Sequence, residues 1–182
     1  MRISTRRRAE QRAFTLLELL TVVTIVGILA TLGLVAYRRF ITSSKSSEAI
    51  YMVGAIRASQ ESYRAETLQY LDVSVGFSNY YPTGSVGAKK TGWDLNTHPD
   101  YARWRQLGAR PDSGVYYGYI VGAGVAGGVP PALHIANKPT WPTTTEPWYV
   151  IEAKGDVDGD GTYSWVCGSS FTGEIYVENQ GQ

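Results

Sequence analysis

Leu16 to Ala36 reads LLELLTVVTIVGILATLGLVA, a run of 21 residues with one charge, Glu18. At about 1.5 Å of rise per residue, a helix of this length covers the roughly 30 Å hydrocarbon core of a bilayer. Working back toward the N-terminus, Met1 to Ala13 carries five arginines (Arg2, Arg6, Arg7, Arg8, Arg12) against a single acid, Glu10, although the whole chain has a formal net charge of only +1. Basic residues flanking an apolar span stay on the cytoplasmic side during insertion, so the N-terminus is expected to face the cytoplasm. Working forward, Ala49, Met52, Val53, Ile56 and Tyr63 recur at helical spacing with polar residues between them, as far as Tyr70. The span and its amphipathic continuation therefore read as one long helix over 14–70. Gly27, Gly33 and Gly54 are its weak points, each costing roughly 1 kcal/mol relative to alanine, and no proline interrupts it.

A carboxylate within hydrocarbon costs about 2.5–3.5 kcal/mol at mid-bilayer on insertion scales, so Glu18 either lies close enough to the interface to stay wet or has a partner. An ordinary secretory signal also begins basic and turns apolar, but its apolar stretch spans about 7–15 residues and is removed. This run is longer and continues into the amphipathic half.

Arg12 to Ala30, RAFTLLELLTVVTIVGILA, resembles the class III signal of type IV pilins and pseudopilins. The resemblance implies a cut by a prepilin peptidase between Ala13 and Phe14, on the cytoplasmic side, followed by N-methylation of Phe14 and retention of the helix. Residues 1–13 would be a cleaved leader. Ala13 stands where the family usually has glycine, and Val35 where many major pilins have a proline that bends the helix; Gly33 can replace part of that flexibility. The family's acid maps onto Glu18, which the resemblance pairs with the N-terminal amine of a neighbouring subunit. Such a pair costs far less in an apolar setting than either charge alone, so it penalises wrong axial register. Other pilin subunits, the peptidase and an inner-membrane assembly platform are the implied partners. The implied location is a single-pass inner-membrane precursor, then a cell-surface or periplasmic filament.

The remainder, 71–182, fits one globular headgroup: the chain has 182 residues, 43% hydrophobic and 18% charged. Cys167 is its sole cysteine, which excludes an intramolecular disulfide. Runs rich in Tyr, Trp, Val and Ile between Gly, Pro and Asn predict strands over Val115 to Val121, Trp148 to Ala153, Thr162 to Cys167 and Glu174 to Glu178, with surface loops over Asp72 to Gly114 and Gly122 to Pro147. The expected fold is α+β, a long N-terminal helix packed on a small antiparallel sheet.

Asp156, Asp158 and Asp160 alternate before Gly161 in GDVDGDGT. The pattern resembles the first half of an EF-hand loop, and Ca²⁺ takes about six to eight oxygens of this kind. The twelfth position is Cys167 instead of a bidentate glutamate, and strands are expected to flank the motif, so the choice is between Ca²⁺ on a hairpin and a solvated Asp-Gly turn. Lys89, Lys90, Trp93, Tyr101, Arg103, Trp104, Arg105 and Arg110 interleave bases with aromatics as single-strand nucleic-acid grooves do, but Asp94, Asp100 and Asp112 dilute them. A polar loop whose tryptophans pack on the sheet is expected there, with nucleic acid the alternative. His98 and His134 lie far apart in sequence with no evident nucleophile, and Cys167 reads as a small core residue, so no enzyme is expected. The expected function is a structural subunit of a type IV pilus-like filament serving adhesion, twitching motility or DNA uptake. The alternatives are a pseudopilin of a type II secretion system and a single-pass anchored enzyme or binding protein.

Overall fold

A computed structural model describes residues 14–138 and 140–181; the leader, including Ala13, lies outside them. Helix α1 runs Leu16–Thr67, 52 residues, and is followed by the short helix α2 (Tyr101–Leu107) and strands β1 (Gly118–Gly124), β2 (Trp148–Gly155), β3 (Ser164–Ser169) and β4 (Ile175–Glu178). The chain divides into two compact units, one ending at Arg38 and the other running Arg39–Gln182.

In the first unit, the described helix is apolar and exposed on every side, Leu16, Leu20, Val23, Leu29 and Leu32 all included. Its threonine hydroxyls are satisfied within the helix itself: those of Thr21, Thr24 and Thr31 donate to the carbonyls of Leu17, Leu20 and Ile28 at 2.9, 2.8 and 2.7 Å. Back-bonding of this kind leaves no unmatched donor to solvate, which suits a helix placed in lipid or among apolar neighbours.

In the second unit, the four strands form one antiparallel sheet in the order β1-β2-β3-β4. The two-residue strand period separates the faces. On one side Tyr149, Ile151, Ala153 and Val166 pack with Ala49, Met52, Val53 and Ile56 of α1, while on the other Trp148, Val150 and Cys167 pack with Leu133 and Ile135. Contact with the helix is close because β3 carries Gly168 there; a Cβ at that position would lie 2.7 Å from Val53 Cγ1. The helix ends at Leu68, whose φ of 63° is left-handed, and the Gln60 amide then holds the returning chain through Leu71 at 2.8 and 2.9 Å.

The strands deviate from expectation mainly at their ends. The first spans Gly118–Gly124 rather than Val115 to Val121, and Val115 instead makes an isolated bridge to Thr91. Gly122 and Gly124 read as loop residues, yet they are strand residues for a packing reason: Phe77 and Pro131 lie over one, and the Trp148 ring over the other, where a Cβ would clash. The segment 72–114 is likewise more than a loop. It contains α2, closed at Gly108 (φ 76°), and pairs with the sheet through Tyr81 and Tyr119.

Candidate functional site: the N-terminal assembly segment and the Asp-rich turn

Phe14 is the first described residue and is exposed. Glu18 sits in the first turn of α1, and Thr15 precedes that turn. The Glu18 carboxylate accepts from the Thr15 backbone N–H at 2.9 Å and from its hydroxyl at 2.8 Å, while the Glu18 N–H donates to Thr15 Oγ1 at 3.2 Å. This reciprocal arrangement is a capping box, Thr-x-x-Glu, which satisfies helix N-terminal donors that would otherwise be orphaned. This partner is neither water nor a neighbouring subunit, and the signal for it in the sequence is the three-residue spacing of Thr15 and Glu18. Within one chain, then, the carboxylate is held at the mouth of its own helix, close in sequence to the residue where the mature chain would begin.

The Asp-rich turn joins β2 to β3. Asp156 is buried, Asp158 and Asp160 are exposed, and one carboxylate oxygen from each falls within 4.8 Å of the others. The same groups organise the backbone. Asp156 accepts from Gly159 N at 2.8 Å and Gly161 N at 3.2 Å, Asp158 from Asp160 N at 3.3 Å, and Asp160 from Thr162 N at 2.7 Å. Gly159 and Gly161 take φ of 80° and 87°, values that glycine adopts without strain. No base follows Lys154 in sequence, but α1 supplies one: Lys45 Nζ donates to the Val157 carbonyl at 2.8 Å. The donor set is all oxygen, which fits a hard cation, whereas Cys167 lies buried within β3 and offers no counterpart to a twelfth-position ligand.

The remaining candidates separate. His98 packs edge-on against Tyr81, whereas His134 stacks on Trp165 and bonds Glu152. Trp93 and Trp104 are buried in the core that faces α1, so their faces are not open to bases, and Arg110 pairs with Asp94. Burial pushes the Cys167 thiol up to about 12, which keeps it protonated at neutral pH.

The sequence has counterparts among known proteins. A family model, the prokaryotic N-terminal methylation motif, matches residues 8–34. The chain is 28% identical over 160 residues to the fimbrial protein EcpC of Eikenella corrodens, covering 88% of this chain and 84% of that protein. It is 39% identical over 80 residues to the type IV major pilin protein PilA of Myxococcus xanthus strain DK1622, covering 43% of this chain and 36% of that protein. No solved structure matches it.

Proposed function

We propose that this type IV pilin-like chain is a structural subunit of a pilus filament, made as an inner-membrane precursor, trimmed before Phe14 and assembled through its apolar helix. The observation that carries the reading is the apolar, all-round exposed helix of residues 16–36, opening on a methylation motif and containing one carboxylate. Exposed apolar surface of this extent has to be covered, and lipid before assembly followed by like helices after it covers it in turn. Glu18 then has two successive jobs: capping its own helix, and accepting the cationic amine of an adjacent subunit. A misregistered neighbour leaves that amine unpaired in an apolar setting, so correct axial stagger is selected energetically. A relative named a fimbrial protein, matching over most of both chains, supports the pilus reading. Adhesion, twitching motility and DNA uptake are the activities such a filament would serve. Ca²⁺ at Asp156, Asp158 and Asp160 belongs to the same reading, supported by the convergence of the three carboxylates.

The test is Glu18→Ala in the native host. Membrane insertion and headgroup folding should persist, because neither depends on the carboxylate, while the amount of subunit in sheared filaments falls. Normal incorporation of the variant would refute the register role, and the complete absence of the wild-type chain from sheared filaments would refute the subunit assignment.

A further inference from the structure

We propose that residues 133–137 form a strap, latched by Glu152 and Glu178, that closes the outer face of the sheet and keeps Cys167 covered in a chain that has no disulfide to do so. Within the strap Leu133 and Ile135 are buried and His134 between them is exposed, the chain bends at His134, Ala136 and Asn137, and the strap belongs to no strand. Its backbone donors consequently need partners outside the sheet ladder. Four consecutive amides find them in two carboxylates. Glu152 Oε2 accepts from His134 N at 2.6 Å and Ile135 N at 3.3 Å, and Glu178 Oε2 accepts from Ala136 N at 2.8 Å and Asn137 N at 3.0 Å.

These carboxylates come from β2 and β4, so the strap crosses the sheet from an inner strand to its edge. Hydrogen bonds to an ionised acceptor are stronger than those between neutral groups, and here two anions hold four donors. At the inner end the grip is doubled: Glu152 Oε1 also takes the Tyr80 hydroxyl at 2.7 Å and His134 Nδ1 at 2.8 Å. Glu152 is fully buried, whereas Glu178 is half-buried on the edge strand, so the two ends differ in access to water and the outer end opens first. Beneath the strap, Leu133 and Ile135 share a cluster with Val150 and Cys167, and Cys167 is paired in register with Glu152. The helix-facing core uses the opposite side of the sheet, so the strap can lift while that core stays closed.

Two readouts on the full-length chain in detergent micelles test the strap: amide hydrogen exchange at 134–137, and labelling of Cys167 by a maleimide. Glu178→Gln should speed exchange at Ala136 and Asn137 by at least tenfold and leave His134 and Ile135 protected. Glu152→Gln combined with Glu178→Gln should speed Cys167 labelling by at least tenfold with the far-UV circular dichroism unchanged. Unaltered exchange in Glu178→Gln would overturn the latch, as would labelling that rises only together with lost secondary structure. Should the double variant fail to fold, the exchange pattern of the single variant decides alone.

Discussion

Glu18 shows how one side chain can look isolated in sequence and yet be partnered in the fold. Among the described residues its hydrogen-bond partner is Thr15, three residues away, through a motif that short-range spacing reveals once a helix start is assumed there. Thr15→Ala should therefore weaken the helix start by about 0.5–2 kcal/mol, the range for N-cap loss, read as increased hydrogen exchange over residues 16–20 in micelles. The Asp-rich turn makes a different point. Its carboxylates were legible as a cluster, but the hydrogen bonds that bend the loop, and the Lys45 ammonium arriving from α1, depend on long-range packing that no local pattern encodes. If Ca²⁺ occupies the turn, millimolar calcium should raise the melting temperature of the full chain in detergent relative to chelator, by mass action on the folded state. Asp158→Ala with Asp160→Ala should erase that difference without unfolding the domain. A melting temperature that does not move across a calcium titration, with no heat of binding, would leave the motif a solvated turn.

Among the elements, the long helix was the most readable, because its apolar run is long and unbroken and its amphipathic continuation follows the 3.6-residue period as far as Tyr63. Strand existence was readable too, and strand ends were not. The edges of β1 are set by what lies on Gly118, Gly122 and Gly124, namely Thr83, Phe77, Pro131 and Trp148, and a glycine-rich stretch carries no trace in sequence of the neighbours that require it. Helix α2 leaves little trace in the sequence because seven residues hold too few helical periods. Packing between α1 and the sheet gives a sharp test. Gly168→Ala would push a methyl to 2.7 Å from Val53 Cγ1 and 3.3 Å from Arg57 Cδ, and should cost about 1–3 kcal/mol by overpacking. Ile56→Ala, from the opposite direction, should cost roughly 2–5 kcal/mol by leaving a cavity. Thermal melts of the two variants measure both, and a melting temperature equal to wild type in either would mean that the helix does not pack on β3 as described.

At the scale of the molecule, the two units bury apolar surface by different means: the second closes its own core, and the first leaves its apolar residues for lipid or for other chains to cover. The closed core carries its own pH dependence. Burial pushes the Tyr149 hydroxyl from 10.0 up to about 12 and the Cys167 thiol from 9.0 up to about 12. Between those limits the folded chain holds protons that the unfolded chain has released, so these two groups leave stability unchanged below about pH 9 and lower it as pH rises toward 12. Chemical denaturation at pH 7.5, 9.5 and 11 should show that decline, and Cys167→Ala should make it shallower; equal midpoints at all three values would contradict the burial of both groups. The exposed apolar helix carries the functional account, and its most direct test is the intact mass of the chain recovered from sheared filaments of the native host. The account predicts a mature subunit that begins at N-methylated Phe14 and lacks all five leader arginines. A chain still starting at Met1, or one cut beyond Ala36 so that the apolar helix is lost, would contradict it.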